Sequence, residues 1–306
     1  MAKTEVVVLG SINIDTTLTV ANLPSPGETI ITQAVSRGFG GKGLNQAVAA
    51  AREGAATAII ACVGSDLDGE DVHRLLETEG IATTLIRTVD GATGSAVVMV
   101  DGQGENTIVV ASLANDALQG LSPQDEEALA NCEVLLCQLE VPMATVAAAM
   151  RTASGHGVIT VLNAAPAMPL PSELSVAVSI LVVNAGEART IASSLAASDN
   201  GDNEFAPLLT IAPEVIVTRG AEGVDYLNCD GRRYHVSAWQ VPVLDTTGAG
   251  DAFCGALCAG LATGIETSQA IQMGVLAGAR AVQQPGTQAR STGTDGRASI
   301  DIAQSF

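Results

Sequence analysis

Short runs of Val, Ile and Leu alternate with longer segments of helical periodicity along the whole chain. The apolar runs lie at 6–9, 58–63, 134–138, 158–162, 180–183 and 215–218. The segments expected to be helical are 43–54, 68–80, 122–131, 143–154, 188–196, 250–263 and 267–283. Continuous apolar strands separated by helices are typical of a mostly parallel sheet with helices on both faces. The pattern therefore predicts an α/β fold.

Two stretches, approximately 16–33 and 82–111, interrupt this alternation. Both are rich in Thr and Val and are punctuated by turn residues. Residues 16–20 and 97–100 are the clearest strands in them, and Asp101-Gly102 is expected to form a turn. We expect the two stretches to lie together as a small sheet beside the main one. Residues 1–306 are thus predicted to form a single α/β domain with this appendage.

Composition narrows the range of partners. Hydrophobic residues make up 47% of the 306 positions but aromatic residues only 2%, so the chain is not disordered and its core must be mainly aliphatic. Fourteen Lys and Arg against 33 Asp and Glu give a net charge of −19. Such a charge repels phosphate backbones and anionic lipids, which argues against nucleic-acid and membrane partners. An anionic ligand would need local features that overcome this repulsion.

Targeting, redox and metal signals are missing from the sequence. The first residues lack a long apolar segment, and no apolar run reaches the roughly 18 residues that span a bilayer. The six cysteines contain no C-x-x-C pair, and the three histidines are isolated. We therefore expect a cytoplasmic protein without a structural metal.

The segment 245–251, Asp-Thr-Thr-Gly-Ala-Gly-Asp, carries the strongest chemical signal. Gly248, Ala249 and Gly250 leave backbone N–H groups accessible where a helix begins, which suits an anion. Asp251 next to such a site could act as a general base for an attacking hydroxyl while the N–H groups stabilise a transferring phosphoryl group. The alternative is a glycine-rich turn in which Asp251 only caps the helix.

The glycines of 38–43 formally match G-x-G-x-x-G, but the preceding residues lack the buried strand of a dinucleotide-binding unit. A nicotinamide oxidoreductase is therefore disfavoured. A Walker A loop would need Gly at position 36 and Ser or Thr at 43, where this chain has Ser36 and Gly43. What remains is a glycine-rich approach to a helix that carries Lys42 and Asn45, an arrangement that suits a polyol.

Asn13 and Asp15 follow the first predicted strand. In extended chain they alternate onto one side, at the strand end where α/β proteins bind ligands. A carboxylate and an amide can together hold vicinal hydroxyls of a sugar. A turn rich in Asn and Asp explains the same residues equally well.

Taken together, these segments resemble the ribokinase family of carbohydrate kinases, also called the PfkB family. The motifs are GSINID at 10–15, PSPGET at 24–29, GGKGLNQA at 40–47, VGSDLDG at 63–69, Asn-x-x-Glu at 184–187 and DTTGAGDAF at 245–253. The N-terminal set is most similar to the ribokinase subfamily. The resemblance implies a three-layer sandwich with a mostly parallel central sheet covered by helices, and a small β lid over the sugar.

The resemblance also implies an activity: ATP-dependent phosphorylation of the primary hydroxyl of a sugar, with D-ribose giving ribose 5-phosphate. Another substrate of the family (deoxyribose, fructose or another ketose, a nucleoside) stays open, as does a non-catalytic sugar-binding protein on the same fold. A nucleoside is disfavoured because only Phe39 lies near the sugar motifs as an aromatic surface.

Site roles follow from the same resemblance. Asp251 is the implied base, and residues 248–250 form the anion hole. The implied sugar ligands are Asn13, Asp15, Gly41, Lys42, Asn45, Glu140 and Asp251. Asn184 and Glu187 would organise phosphates and Mg²⁺, and Thr218, Gly220, Gly223 and Gly250 would contact the nucleotide. A monovalent cation, K⁺, would be held by Asp245, Thr247, Ala281, Gln284 and Gly286. Family members often form homodimers through the lid, so a homodimer is expected.

Four positions depart from the family pattern. Leu113-Ala-Asn115 replaces the usual Gly-Ala-Asn after the lid, and Ala188-Arg189 stands where a further acidic residue is common. Arg290 stands where a Ser is usual in the cation loop, and Gly274-Val275 replaces an Asn near the adenine. The first two departures bear on the hinge turn or a sugar-adjacent contact and on phosphate or metal handling, respectively. The last two bear on the cation and on the nucleotide base, and the one near the adenine leaves phosphate transfer intact.

Overall fold

The protein is described from a computed structural model, which covers residues 3–103, 105–195 and 204–287. In chain order its strands are β1 (Val6–Leu9), β2 (Asn13–Thr19), β3 (Ala34–Gly40), β4 (Thr57–Gly64), β5 (Ile86–Val89), β6 (Gly94–Val100), β7 (Asn106–Ala111), β8 (Val134–Cys137), β9 (Ile159–Asn163), β10 (Ile180–Asn184), β11 (Glu214–Thr218), β12 (Val224–Asn228) and β13 (Arg233–Val236). Its helices are α1 (Lys42–Arg52), α2 (Leu67–Thr78), α3 (Pro123–Asn131), α4 (Met143–Gly155), α5 (Ser172–Ser175), α6 (Ala185–Ser194), α7 (Ala249–Ala262) and α8 (Thr267–Ala281).

The larger sheet has nine strands in the order β13-β12-β11-β10-β9-β8-β1-β4-β5. The strands from β11 to β5 in this order are parallel, and β12 and β13 complete one edge as antiparallel strands. In the middle of the sheet Val6 lies opposite both Thr57 and Val134. The predicted α/β fold with a mostly parallel sheet is confirmed.

Both faces of this sheet are covered. On β1, Val7 and Leu9 point into one apolar cluster, while Val6 and Val8 point into another. The first cluster includes side chains of α3, α4 and α6, and the second includes side chains of α1, α2, α7 and α8. Strands that are buried on both faces need apolar residues at every position, which explains why these strands read as continuous runs.

Helices α1 and α7 pack closely enough that small residues are required between them. A Cβ placed on Gly255 would lie 2.5 Å from Ala49 Cβ and 2.6 Å from the Gln46 carbonyl oxygen. A side chain at position 255 would therefore push the helices apart. This close contact brings the first turns of α1 and α7 together, and with them the residues around Asn45 and Asp251.

The smaller sheet, called the lid below, has four strands in the order β3-β2-β6-β7. Strands β2 and β6 are parallel, and the outer pairs are antiparallel. The bounds differ from the sequence-based expectation in two ways. Strand β3 lies beyond the stretch 16–33, and β5, within the stretch 82–111, belongs to the larger sheet. Residues 34–40 lack a run of apolar residues because β3 is largely exposed.

The lid joins the main body at the 3-10 helix Leu113–Ala117, which carries one of the departures from the family pattern. Leu113 has φ 47, in the left-handed region where a residue other than Gly costs about 1 kcal/mol. Asn115, two residues on, is buried: it accepts from the Ile12 N–H at 2.9 Å and donates to Asn13 Oδ1 at 2.8 Å. The Leu at position 113, where the family usually has Gly, thus affects the hinge turn, while Asn115 keeps its contact with Asn13.

The helix bounds lie within a few residues of those expected. Helix α6 begins at Ala185 rather than 188, because Asn184 serves as its N-cap. Strands β12 and β13 and the short α5 were not expected from the sequence. The polar loop expected at 198–203 lies outside the described residues. No helix in the described ranges is long and apolar enough to cross a membrane.

Candidate active site

The polar residues of interest lie at the carboxyl edge of the larger sheet, as expected for parallel α/β folds. Gln138 follows β8, while Asn163, Asn184 and Thr218 end β9, β10 and β11. The first turns of α1 and α7 lie against the same edge, because both helices pack on the sheet face beside β1. This edge therefore collects side chains from widely separated segments of the chain.

Asp251 lies in the first turn of α7, which Gly248 caps with φ 77. A left-handed conformation at that position favours glycine. The Ala249 N–H donates to the Thr246 carbonyl at 3.3 Å. Among the described residues, the structure gives no acceptor for the N–H groups of Gly248 and Gly250. Two of the three amides predicted to bind an anion are thus available to one.

The Asp251 carboxylate is held by two amide side chains of α1. Gln46 Nε2 donates to its Oδ1 at 2.9 Å, and Asn45 Nδ2 donates to its Oδ2 at 3.2 Å. Desolvation raises the pKa of Asp251, while the positive charge of Lys42 and the hydrogen bond from Gln46 oppose the rise. A carboxylate with a raised pKa is a stronger base than one in water, as proton abstraction requires.

Asp15 lies on β2, and its carboxylate differs from that of Asp251 in its hydrogen-bond partners. Desolvation, followed by the negative charges of Glu140 and Asp251, raises its pKa from 3.8 to about 6. Its Oδ1 is buried without a hydrogen-bond partner in the described part of the chain. Because folding raises this pKa, ionisation of Asp15 destabilises the fold, and the protein loses this stability as the pH rises from 3.8 to about 6. An unpartnered carboxylate of this kind fits a ligand hydroxyl that would donate to it.

Glu140 and Lys42 link the loop after β8 to the start of α1. Glu140 Oε2 accepts from Ser11 Oγ at 2.5 Å and from the Lys42 backbone N–H at 3.0 Å. The pKa of Lys42 is raised because the negative charges of Asp251, Glu140 and Glu187 outweigh the opposing effect of burial. Lys42 is therefore a firmly charged cation among carboxylates, which offsets part of the negative charge of the protein at this edge.

Gly41 caps α1 with φ 88 and approaches the segment before β2 very closely. A Cβ at this position would lie 2.8 Å from the Asn13 backbone nitrogen and 2.9 Å from the Ser11 carbonyl oxygen. Asn13 itself is buried, and Asn115 fixes its side-chain oxygen. The start of the lid strand and the start of α1 are thus locked against each other beside Asp15.

Asn184 and Glu187 form a capping box at the start of α6. The Glu187 N–H donates to Asn184 Oδ1 at 2.8 Å, and the Asn184 N–H donates to Glu187 Oε2 at 2.8 Å. Both residues also line a cavity that contains Lys42 and Asp251. The capping box fixes the two side chains and leaves Glu187 Oε1 outside its hydrogen bonds.

Two cavities meet at Thr218 and Gly250. The smaller one, of about 140 Å³, is lined by Lys42, Asn163, Asn184, Glu187, Gly248 and Asp251, together with a few apolar residues. The larger one, of about 300 Å³, is mostly apolar and includes Gly220, Gly223, Trp239, Phe253 and Val275. A ligand that extends from one cavity into the other would pass the amide of Gly250 and the side chain of Thr218.

Glycines shape the larger cavity. Gly220 and Gly223, with φ 56 and 111, form the turn that connects β11 to β12. A Cβ on Gly223 would lie 2.1 Å from the Val236 carbonyl oxygen, so no other residue fits there. On α8, a Cβ on Gly274 would lie 2.7 Å from the ring of Phe253. The departure at 274 therefore has a packing reason, since the Phe253 ring occupies the space of a side chain.

Comparison with known proteins decides the family. A family model described as "pfkB family carbohydrate kinase" matches residues 3–294. The ribokinase of Haemophilus influenzae is 38% identical over 292 residues, which cover 94% of this chain and 95% of that protein. The chain belongs to the pfkB family of carbohydrate kinases. It is thus an enzyme of that class, as the motifs implied.

Two further pfkB relatives agree in sequence and fold. The ribokinase of Staphylococcus aureus is 36% identical over 294 residues, or 93% of this chain and 95% of that protein. The structure of Arabidopsis thaliana ribokinase complexed with ribose and ATP has a TM-score of 0.86 at 26% identity, and covers 95% of this chain and 96% of that one. The predicted ribokinase-like sandwich is confirmed.

The residues expected to hold a cation in this pfkB kinase lie on the loop before α7, at the last residue of α8 and on the loop after it. Asp245 Oδ1 accepts from the Thr247 N–H at 2.9 Å, and its Oδ2 accepts from the Gly286 N–H at 2.8 Å. Asp245 therefore ties the loop before α7 to the loop after α8. The Ala281 carbonyl accepts from the Gln284 N–H at 3.0 Å. No cluster of three His, Cys, Asp or Glu suited to a metal occurs among the described residues, and Arg290 lies outside them.

The predicted catalytic and nucleotide-binding residues of the pfkB kinase and Lys42 line the two cavities, whereas the residues expected to hold the cation line neither. The structure also adds several residues that the motifs did not single out. Gln46, Gln138 and Asn163 are buried next to Asp251, and Trp239 lines the larger cavity. Gln46 lies inside the quoted motif GGKGLNQA, and Gln138 and Asn163 lie at the ends of apolar runs. A polar residue at the end of a buried strand was the available signal. Trp239 lies in an irregular segment, where no pattern in the sequence indicated that it would line a cavity.

Proposed function

We propose that this pfkB kinase transfers the γ-phosphoryl group of ATP to the primary hydroxyl of D-ribose, which gives ribose 5-phosphate and ADP. The observation that carries the proposal is the position of Asp251, beside the available amides of Gly248 and Gly250, where the two cavities meet. The identity to ribokinases over nearly the whole chain supports ribose as the sugar.

The proposed transfer uses few groups. Asp251 accepts the proton of the sugar hydroxyl, whose oxygen forms a bond to the γ-phosphorus as the bond to the ADP oxygen breaks. The amides of Gly248 and Gly250 donate to the phosphoryl oxygens in transit, while that of Ala249 donates to the Thr246 carbonyl. Lys42 places a positive charge in the same cavity. Phosphoryl transfer depends mainly on position and charge, so no further acid or base is required.

The sugar would lie among polar groups from three segments of the chain. Asn13 and Asp15 come from β2, Gly41, Lys42 and Asn45 from the start of α1, and Glu140 from the loop after β8. The unpartnered Asp15 Oδ1 supports this assignment, because a sugar hydroxyl would supply the missing donor. The lid strands β2 and β6 would cover the sugar and exclude water, which could otherwise accept the phosphoryl group.

The nucleotide would lie across the larger cavity, with its phosphates directed to Thr218 and Gly250. Gly220 and Gly223 allow close approach of the chain to it. Glu187 and Asn184 offer the oxygen ligands that Mg²⁺ prefers, and they line the phosphate side of the cleft. The bound Mg²⁺ would offset phosphate charge, which answers the repulsion expected from the net charge of −19.

A panel of acceptors tests the proposal. With Mg-ATP fixed, ADP release is measured with ribose, 2-deoxyribose, fructose and adenosine. We expect kcat/KM for ribose to exceed that for each other acceptor at least about tenfold, because a site built on hydrogen bonds penalises a missing or displaced hydroxyl. A preference for another acceptor would move the assignment within the family. Ribose binding without ADP release would favour the non-catalytic alternative.

A potassium dependence is part of the proposal. The Asp245 carboxylate, the Thr247 hydroxyl and carbonyl groups at Ala281, Gln284 and Gly286 provide oxygen donors of the type that K⁺ requires. The hydrogen bond from the Gly286 N–H to Asp245 already joins the two loops. We expect higher kcat in KCl than in NaCl at equal ionic strength, and equal rates in the two salts would count against this site.

A homodimer through the lid is also proposed. Support comes from Val35 on β3 and Val109 on β7, large apolar side chains with more than half of their surface exposed that lie on the same face of the lid, opposite to Asp15. Exposed apolar patches of this kind mark interfaces. Light scattering should give twice the mass of 30.8 kDa, and Val109→Lys should shift it toward the single mass. A cytoplasmic location, and the lack of nucleic-acid and membrane partners, stay predictions.

A further inference from the structure

Three buried amide side chains form a continuous chain beneath Asp251. Gln138 Nε2 donates to Gln46 Oε1 at 2.6 Å, and Gln46 Nε2 donates to Asn163 Oδ1 at 3.0 Å and to Asp251 Oδ1 at 2.9 Å. Asn163 Nδ2 in turn donates to the Val182 carbonyl at 3.2 Å. Gln46 and Gln138 have no exposed surface, and Asn163 is 8% exposed. The chain is named the amide chain below.

The pattern of donors and acceptors allows one orientation of Gln46. Its NH₂ group has two hydrogens, and both are used by oxygen acceptors that have no hydrogen to give. Its Oε1 receives the hydrogen bond from Gln138. If the amide were flipped, its oxygen would face the Asp251 carboxylate and the Asn163 oxygen, which are both acceptors. The amide chain therefore fixes the NH₂ group of Gln46 toward Asp251.

The surrounding backbone leaves space for the amide chain and little more. A Cβ on Gly10 would lie 1.9 Å from Gln138 Oε1, so only glycine at position 10 leaves room for that amide. Gln138 Oε1 has no partner among the described residues. Buried polar groups cost stability, especially where one atom is unsatisfied. Apolar side chains at 46, 138 and 163 together would avoid this cost, so stability alone does not account for the chain.

We propose that Gln46 is a positioning residue that orients the Asp251 carboxylate for proton abstraction, with Gln138 and Asn163 holding Gln46 in turn. The inference rests on the proposed role of Asp251 as the base. Gln46 occupies Oδ1, so that Oδ2 is the oxygen directed at the sugar hydroxyl. Asn45, the other partner of Asp251 at 3.2 Å, would contact the sugar and exchange this longer hydrogen bond on binding.

The charges around Asp251 determine how the loss of the Gln46 hydrogen bond should appear in a pH profile of kcat. Lys42 from α1 lowers the pKa of Asp251, while Glu140 from the loop after β8 raises it. Asp15 on β2 and the Cys254 thiol on α7 also interact with it. The hydrogen bond from Gln46 lowers this pKa. Without that donor the pKa of Asp251 rises, so fewer molecules have an ionised base at low pH.

The test uses the full-length protein, with Gln46→Met as the variant and Thr145→Val as the matched control. Thr145 is a buried polar residue of α4 whose Oγ1 donates to the Leu118 carbonyl at 2.7 Å, away from the site. We expect Gln46→Met to lower kcat about tenfold to a hundredfold, since small misplacements of a reacting group have effects of that size. The KM for ribose should change by less than about threefold, and the control should keep the parental kcat.

The pH profile separates positioning from a general structural role. For Gln46→Met the deficit in kcat should be largest at low pH and should shrink as the pH rises. A kcat within twofold of the parent, or a deficit that is the same at every pH, would overturn the inference.

A second variant keeps the inference testable if Gln46→Met does not fold. Gln138→Met leaves the hydrogen bond to Asp251 in place but removes the donor that orients Gln46. We expect kcat to fall by about threefold to tenfold, less than for Gln46→Met. An unchanged kcat in Gln138→Met would count against the amide chain. If the parent itself does not phosphorylate ribose, the proposed function fails; if the parent is active and both variants match it, only this inference fails.

Discussion

The two cavities that meet at Thr218 and Gly250 are lined by different chemistry. The smaller one holds Asp251, Lys42 and Glu187, whose polar groups take part in hydrogen bonds between 2.8 and 3.2 Å. The larger one, about twice the volume, has Thr218, Gln240 and Thr246 as its polar side chains and no charged side chain among the described residues.

This difference indicates how each half of the cleft selects its ligand. A site built on directional hydrogen bonds rejects an analogue that lacks one group by a large factor, because buried polar atoms are then left unpaired. An apolar pocket recognises size and shape, and it discriminates between similar ligands by only about ten- to two-hundredfold. We therefore expect strict geometry on the sugar side and tolerance on the nucleotide side.

The largest expected effect concerns the polar cavity. Asp251→Asn should lower kcat at least about a thousandfold, since the proposed base and its position are both lost. Steady-state ADP release with ribose measures this. Asp230→Asn, in the exposed turn after β12, is the matched control and should keep parental rates. Near-parental turnover in Asp251→Asn would remove the assigned base and with it the difference between the two cavities.

Asp15 gives an intermediate effect that depends on pH. Its pKa is raised to about 6, and the proposed contact with the sugar needs the ionised carboxylate. The KM for ribose should therefore fall as the pH rises through about 6. Asp15→Asn should raise the KM about tenfold to a hundredfold, as expected for a lost hydrogen bond to a charged group.

The pH dependence itself is the sharper measurement for Asp15. In Asp15→Asn the change in KM near pH 6 should disappear, while the pH dependence of kcat, which reflects Asp251, should remain. A KM that keeps its parental pH dependence in the variant would show that Asp15 does not bind the sugar.

The smallest expected effect concerns the apolar cavity. With ribose saturating, kcat/KM for GTP and ITP should lie within about tenfold of that for ATP, because the cavity is mostly apolar and offers few polar side chains to read the base edges. Val275→Asn should add a hydrogen-bonding amide and raise the preference for ATP a few-fold. A parental preference for ATP above about a hundredfold would show that backbone groups or the Gln240 amide read the base. The two cavities would then be equally selective.

Much of the fold could be predicted because the larger sheet is buried on both faces. Each of its apolar runs, such as Val6–Leu9, matches a parallel strand. Strand β3 escaped prediction because an exposed lid strand with the residues Ser-Arg-Gly-Phe-Gly has no apolar run to reveal it. Strand β13 is a short, half-exposed edge strand, and β12, which lies between it and β11, is mostly buried but interrupted by Asp225, so neither strand shows a continuous apolar run.

The site could be predicted where glycine-rich motifs mark a close approach, as at Gly41, or a left-handed turn, as at Gly248. The sequence could not reveal which side chains hold Asp251, because Gln46, Gln138 and Asn163 meet only through the packing of α1 and α7 on the sheet. Nor could it reveal that the Ala249 N–H donates to the Thr246 carbonyl. Hydrogen-bond geometry of this kind depends on three-dimensional placement rather than on spacing along the chain.

The register of the lid limits how the lid can move. Asn13 pairs with Gly40 and Asp15 with Gly38, and a Cβ on Gly40 would lie 2.0 Å from Asp15 Oδ2. A slip of one residue would turn Asp15 to the opposite face of the sheet. The strands cannot slide past one another without dismantling the proposed sugar contacts. Any movement of the lid must therefore keep this register, and a mutation at its far end should leave the arrangement of residues at its base unchanged.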